Sequence, residues 1–323
     1  MERIAVLTSG GDSPGMNAAV RAAVRMAIEM KMQVFGVRRG FAGLIGGEFE
    51  QMTARSVGGI IQRGGTILQT ARSAEFMTEK GQLEAIRNIN RLGIGGLIVI
   101  GGNGSLTGAL ALHEKGVPVI GLPATIDNDI SGTGMAIGVD TALNTALDAI
   151  DKIKDTASSH SRAFVIEVMG RNCGYLALMS ALAGGAEMVL IPEVDVELSK
   201  VATELRDAYV RGKEHSIVVV AEGAKHRATD VARYLAERKG EAGFEVRLTI
   251  LGHVQRGGSP SAFDRILATR FGARAVEELA KGTSGKMIGV RGTDLILVDL
   301  KDAVCEKRGL DLYLYELQNT LSR

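Results

Sequence analysis

Two carboxylates stand two residues apart in Leu122-Pro123-Ala124-Thr125-Ile126-Asp127-Asn128-Asp129, directly after an apolar, strand-like run. An open α/β enzyme keeps its chemistry at the carboxyl ends of its strands. There, one carboxylate can take a proton from a substrate hydroxyl while a second helps to hold a divalent cation. The same residue types also build polar turns in which Asp and Asn side chains bond their own backbone, so the rest of the chain has to decide between the two.

Glycine at a strand-to-helix junction lets backbone N–H groups approach a phosphate, and the helix N-terminus then favours the anion. Four such junctions occur: Ser9-Gly10-Gly11-Asp12-Ser13-Pro14-Gly15, Gly101-Gly102-Asn103-Gly104-Ser105, Met169-Gly170-Arg171-Asn172-Cys173-Gly174 and Glu222-Gly223. The first has neither the Gly-Lys-Ser/Thr ending of a P-loop nor the dinucleotide fingerprint, so a phosphate turn and a plain tight turn are equal readings of it. The second follows Leu97-Ile98-Val99-Ile100 and leaves room for the phosphates of a nucleotide. Its Ser105 either caps the next helix or bonds a phosphate oxygen. Asn103 is unexpected there, because Mg²⁺ prefers anionic oxygen.

Arg72, Arg162, Arg171, Arg247 and Arg256 lie near strand ends or glycine-rich loops. Each alone reads as a solvated charge; gathered by the fold or by an oligomer, they would clamp phosphoryl oxygens bidentately. Of the five histidines, His253 in Gly252-His253-Val254-Gln255-Arg256-Gly257-Gly258 is the ligand candidate, with a hydrogen-bonded structural role as the alternative. His113, His160, His215 and His226 show no metal spacing.

These residues need a scaffold, and short apolar runs recur at Arg3 to Thr8, Gln33 to Val37, Gly96 to Gly101, Pro118 to Leu122, Ala163 to Val168, Met188 to Ile191, Ser216 to Ala221, Glu245 to Leu251 and Leu295 to Val298. Helical patterns lie between them, at Met16 to Met30, Leu83 to Arg91, Thr141 to Ala157, Lys200 to Arg211 and Ala262 to Ala280. Such alternation predicts an α/β protein with parallel sheets covered by helices. At 323 residues the chain exceeds the usual size of one core, so two domains or lobes are expected. The formal net charge of +1 gives no bulk attraction to nucleic acid or to an anionic membrane. No apolar stretch reaches membrane-spanning length and no secretory leader is read, and Cys173 and Cys305 form no disulfide framework, so a cytoplasmic setting is expected.

Five segments together carry a family resemblance: Thr8-Ser9-Gly10-Gly11-Asp12-Ser13-Pro14-Gly15-Met16-Asn17, Arg63-Gly64-Gly65-Thr66, Thr125-Ile126-Asp127-Asn128-Asp129, Met169-Gly170-Arg171, and Leu251-Gly252-His253-Val254-Gln255-Arg256-Gly257-Gly258-Ser259-Pro260. The chain resembles the bacterial ATP-dependent 6-phosphofructokinases over nearly its full length. The resemblance implies two similar three-layer α/β/α lobes with mostly parallel sheets and a cleft between them. Residues 1–138 plus 255–305 would form the ATP-binding lobe, and 139–254 plus 306–323 the sugar-phosphate lobe.

It also implies that Asp127 is the base that deprotonates the 1-hydroxyl of fructose 6-phosphate, with Thr125 and Asp129 placing phosphate and cation, and Arg72 and Arg171 steadying charge. ATP falls to Gly11, Arg72, Ser73, Gly102, Asn103, Gly104 and Ser105. The sugar phosphate falls to Thr125, Ile126, Asp127, Met169, Gly170, Arg171, Glu222, His253 and Arg256, joined by Arg162 and Arg247 from a neighbouring subunit of a homotetramer. A regulatory site for ADP or phosphoenolpyruvate maps to Arg21, Arg25, Lys154, Glu187, Arg211, Lys213 and His215. Lys154 stands where the family usually has arginine, and Gly59 where it often has aspartate. Mg²⁺ is assigned to Asn103 and Asp129. Asn103 replaces the family's aspartate, a loss that typically costs about 10 to 100-fold in metal affinity or activity. The first reading is an active glycolytic kinase; the alternative is a weakly active or regulatory paralogue, motivated by Asn103. A pyrophosphate-dependent variant is opposed by Gly104 and Ala124, where that family usually carries aspartate and lysine.

Overall fold

The computed structural model describes residues 1–238, 243–306 and 308–322. The chain divides into two compact units, Met1–Thr141 with Arg256–Arg308, and Ala142–Gln255 with Gly309–Arg323.

Unit 1 is built on strands whose residues are apolar on both faces, the mark of a sheet covered on both sides. β1 (Arg3–Ser9), β2 (Gln33–Val37), β3 (Phe49–Met52), β4 (Gly96–Gly101), β5 (Val119–Pro123), β10 (Lys286–Arg291) and β11 (Asp294–Asp299) form a seven-stranded sheet in the order β11-β10-β5-β4-β1-β2-β3. The five central strands run parallel, while β3 and β11 close the edges antiparallel.

Alternate side chains feed two cores. Ile4, Val6, Ile98, Ile100, Ile120 and Leu122 pack on one face with helices α1 (Met16–Glu29) and α9 (Ala262–Ala280). Ala5, Leu7, Leu97, Val99 and Val119 pack on the other with α2 (Gly40–Gly46), α3 (Glu79–Arg91), α4 (Asn103–Glu114) and α10 (Leu300–Cys305). Strand β1 leads to α1 on one face and β4 to α4 on the other, so the strand order reverses between them. That switch point is where an open α/β sheet binds ligands.

Unit 2 carries a four-stranded parallel sheet, β7-β8-β6-β9, made of β6 (Arg162–Val168), β7 (Met188–Leu190), β8 (Ser216–Ala221) and β9 (Glu245–Ile250). Helices α7 (Leu198–Val210) and α8 (Ala228–Glu237) cover one face. Helices α5 (Val139–Ser159), α6 (Tyr175–Ala183) and α11 (Leu312–Leu321) cover the other. Here β6 and β8 are neighbours whose following helices lie on opposite faces, which makes a second switch point.

Two strands escape the sequence pattern. β3 is a four-residue edge with only Met52 buried, and β10 is a short run interrupted by Gly289. Helix α3 also begins earlier than its apolar pattern, at Glu79, because Thr78 caps it by accepting from the Gly81 amide. No described helix is long and apolar enough to cross a membrane.

Candidate active site

In unit 1 the loops after β1, β4 and β5 meet. The Ser105 side chain lies between the first two, since a Cβ built on Gly10 would sit 3.1 Å from its Oγ and one on Gly101 only 2.5 Å away. Gly102 is the N-cap of α4, without a side-chain cap. Ser105 therefore lies inside the first turn and does not cap the helix; its hydroxyl is buried without a hydrogen-bond partner. An uncapped helix start beside an unsatisfied hydroxyl fits a phosphate. Asn103 is the first helical residue, and nothing lies within 4 Å of a Cβ built on Gly104, so that face is open.

Arg256 lies along the first loop. Its Nη1 donates to the Asp12 carbonyl at 3.2 Å and would stand 2.6 Å from a Cβ on Gly11. Only glycine permits that approach. The loop leading to Arg72 is tied to the same place. Asn17 on α1 donates to the carbonyls of Arg63 and Gly64 and accepts from the Ile67 amide at 2.8 Å, and Thr70 Oγ1 donates to the Gly10 carbonyl at 2.7 Å. Arg72 itself is exposed. Ser73 Oγ accepts from the Phe76 amide at 3.2 Å, so it already serves a local turn.

The Thr125–Asp129 segment adjoins Gly102, whose Cβ would lie 3.7 Å from that of Thr125. Thr125, Ile126, Asp127 and Asn128 are buried and Asp129 is half-buried. A local turn is present, but a threonine closes it where Asp or Asn is expected: Thr125 Oγ1 accepts from the Asp127 amide at 3.1 Å. Asn128 adopts φ 51° and accepts from the Ala136 amide at 3.1 Å. The Thr125 amide donates to the Ile137 carbonyl at 3.0 Å. Asp127 is thus held in a hydrogen-bonded turn at 4% exposure.

Unit 2 gathers its own group at the β6/β8 switch point. Gly170 and Arg171 adopt φ 142° and 50°. Their amides both donate to Glu222 Oε1, at 3.3 and 2.8 Å. The Met169 amide donates to Gln255 Oε1 at 2.8 Å, while Gln255 Nε2 is buried without a partner. His253 is exposed in a 3-10 turn.

Arg162 and Arg247 both pair with Glu245, at 2.8 and 2.5 Å, and the Arg162 hydrogen bond holds that carboxyl below its usual range. Lys213 bonds Glu187 at 3.0 Å and the Ser322 carbonyl at 2.9 Å. Lys154 donates to the Gly184 carbonyl, His215 Nδ1 pairs with Ser158 Oγ at 2.8 Å, and Arg211 is exposed at the end of α7. Arg21 and Arg25 belong to unit 1, on α1.

Four polar residues escaped sequence reasoning: Asn17, Asn128, Gln255 and Asp264. All are buried, and each organises a loop through backbone groups distant in the chain or folded back by a turn, so local spacing gives no sign of them. Burial pushes the Asp264 carboxyl up, against hydrogen bonds from Thr141 and Gly138.

Among the described residues no three His, Cys, Asp or Glu side chains gather into a metal cage. Mg²⁺ commonly takes one or two carboxylates, substrate phosphates and water. Asp129, half-buried four residues after the Thr125 that adjoins Gly102, is a carboxylate of the kind that such an ion takes.

The sequence matches the family model described as Phosphofructokinase over residues 3–279. The chain belongs to the phosphofructokinase family. It is 56% identical over the whole length of both chains to a protein of Natranaerobius thermophilus named ATP-dependent 6-phosphofructokinase, and 55% identical, again end to end, to one of the same name from Thermotoga neapolitana. Among solved structures, phosphofructokinase from Saccharomyces cerevisiae superposes with TM-score 0.87 at 40% identity, covering 94% of this chain and 45% of that one. Phosphofructokinase from Pichia pastoris gives 0.90 at 37% identity, covering 94% and 35%. This phosphofructokinase-family chain thus spans less than half of those longer chains. A pyrophosphate-dependent phosphofructokinase from Marinobacter aquaeolei shares the fold, with TM-score 0.84 at 23% identity over 97% of this chain and 86% of that one. The fold alone therefore leaves the phosphoryl donor to the residues.

Proposed function

We propose that this protein transfers the terminal phosphoryl group of ATP to the 1-hydroxyl of D-fructose 6-phosphate, giving fructose 1,6-bisphosphate and ADP. The observation that carries the reading is the meeting of two glycine loops with the Thr125–Asp129 segment at a switch point, in a chain end-to-end similar to proteins of that name. The open face at Gly104 supports ATP over pyrophosphate, since it leaves space for the rest of a nucleotide. No observation favours the weakly active paralogue.

Asp127 accepts the proton of the sugar hydroxyl as its oxygen bonds the γ-phosphorus and the bond to the β–γ bridging oxygen breaks. The amides at the start of α4 and the first loop orient the ATP phosphates, and Ser105 offers its free hydroxyl. Arg72 and Arg171 balance charge on the moving group. Mg²⁺, bound near Asp129 and Asn103, would supply positive charge to the phosphate oxygens. Unit 1 is proposed to hold ATP and unit 2 the sugar phosphate, on Met169, Gly170, Arg171, Glu222 and His253, with Arg256, which bonds the Asp12 carbonyl of the first loop, as a further ligand.

The proposal extends to a homotetramer in the cytoplasm, in which Arg162 and Arg247 serve a neighbouring copy. It also extends to effector binding of ADP or phosphoenolpyruvate on Lys154, Glu187, Arg211, Lys213 and His215 with Arg21 and Arg25. The test is steady-state turnover of purified protein with fructose 6-phosphate and either MgATP or pyrophosphate, with and without the two effectors. Turnover with MgATP supports the assignment, and background rates at saturating substrate reject it.

A further inference from the structure

Asp264 is the one carboxylate of helix α9 that is wholly buried, at 0% exposure, and the proposed chemistry makes no use of it. It sits at the third position of α9, where its amide donates to Ser261 Oγ, the N-cap, at 3.2 Å. Its side chain turns away from its own helix to the start of α5. Oδ1 accepts from the Gly138 amide at 2.9 Å, and Oδ2 accepts from the Thr141 amide at 2.8 Å and from Thr141 Oγ1 at 2.6 Å. Thr141 Oγ1 in turn accepts from the Ser261 amide at 2.9 Å. The carboxylate therefore serves the start of α5 from a place in the first turn of α9, and both helix starts favour negative charge.

What it holds is next to the reacting segment. The residue before Gly138 is Ile137, whose carbonyl receives both the Thr125 amide and Ser13 Oγ at 3.0 Å, and whose amide donates to the Pro123 carbonyl at 3.0 Å. Gly138 adopts φ 103°, and a Cβ there would meet Ser13 Cβ at 2.6 Å. A Cβ on Gly15 would meet Ile137 at 2.7 Å and the Asp264 backbone oxygen at 3.5 Å. The first loop, the Thr125 segment and the start of α9 thus converge on one turn, Ile137–Gly138, held by the Ser13 hydroxyl at Ile137 and by the Asp264 carboxylate at Gly138.

We propose that Asp264 is a positioning residue for the Thr125–Asp129 segment, acting through the Ile137–Gly138 turn and the start of α5. The inference rests on the reading of Asp127 as the base. Misplacing a reacting group by about 1 Å costs about 100-fold in rate. Binding of the sugar phosphate and of ATP draws on many other groups, so the loss belongs in kcat.

The test compares Asp264→Asn, which keeps the size but swaps an acceptor for a donor, with Thr141→Val and Thr141→Ser. Steady-state kinetics with fructose 6-phosphate and MgATP are paired with amide hydrogen exchange, well below the melting temperature. Asp264→Asn is expected to lower kcat by about 10 to 100-fold with KM for both substrates within about threefold. Thr141→Val, the milder change should Asp264→Asn fail to fold, is expected to lower kcat less, and Thr141→Ser to restore it. Exchange at Thr125 and Ile137 should quicken by about tenfold while amides of β6 and β8 stay unchanged. A folded variant with unchanged kcat, unchanged exchange at Thr125, or exchange quickened equally in β6 and β8 overturns the inference. If the wild-type protein shows no turnover, the functional reading fails instead, and the exchange pattern alone decides the role of Asp264.

Discussion

At Asp127 the proposed chemistry rests on one carboxylate that is 4% exposed, with its amide tied to Thr125 Oγ1. Asp127→Asn preserves shape and removes the proton acceptor. It is expected to lower kcat by about 100 to 10,000-fold, with calorimetric affinity for fructose 6-phosphate within a few-fold of wild type; comparable turnover in the two proteins would exclude it as the base. Asn103 allows a gain rather than a loss. It stands at the start of α4 in the loop that faces Thr125, where a carboxylate would add charge for a phosphate-borne cation. Asn103→Asp is expected to lower the Mg²⁺ concentration at half-maximal rate by about tenfold, and an unchanged Mg²⁺ titration would refute that account. The acids and glycines of these loops are legible in the sequence because their chemistry is carried by residue type and by a place after an apolar run. Asn17 and Asp264 are not, since their partners lie 46 to 50 and 123 to 126 positions away.

Helix α9 shows how one element ties loop geometry to stability. Near its amino end, burial raises the Asp264 carboxyl above its usual range; near its carboxyl end, the Thr283 hydroxyl, Lys281 and Arg274 lower Glu278. A lowered carboxyl stabilises the fold above its unfolded value of about 4.3, and that stability fades as pH falls through the lowered value. A raised carboxyl has the opposite sign: its contribution is complete below about 3.9 and is lost as pH rises through the folded value. The melting deficit of Glu278→Gln should therefore shrink from pH 7 to pH 3.5, while that of Asp264→Asn should grow. Parallel pH trends in the two variants would contradict the assigned environments. The buried parallel strands are the most legible elements, because Leu97–Ile100 and Ile217–Val220 are apolar without interruption, whereas the helical pattern reveals α1, α3, α5, α7 and α9 and passes over α2, α4, α6, α8, α10 and α11. β3 is not legible, since an edge pairing on one side needs no such run. Ser105 shows the remaining ambiguity: a serine near a helix start reads equally as cap or first-turn residue until the backbone shows Gly102 at the cap.

For the whole molecule, the exposed strand at the rim of the smaller sheet raises the question of assembly. Among the described residues β9 pairs with β6 alone and stands at the edge of its sheet, with Leu248 and Ile250 at 40% and 52% exposure. An open edge bearing apolar side chains invites pairing with another chain unless charge protects it. Here Arg162 on β6 and Arg247 on β9 share the single carboxylate of Glu245, so most of the charge at this edge is compensated and one positive charge remains. A chain of net charge +1 offers little long-range repulsion either. A second copy is the natural cover, and in the proposed tetramer it would carry the same two arginines toward a neighbour's sugar phosphate. Ile250→Lys places an unmatched charge on that edge. It is expected to shift the sedimenting mass from four copies toward smaller species at micromolar concentration, and to raise KM for fructose 6-phosphate more than KM for ATP. The split matters, because loss of folding would lower turnover for both substrates alike. An unaltered mass with unaltered kinetics would move the assembly surface away from β9 and leave Arg162 and Arg247 as surface ion pairs.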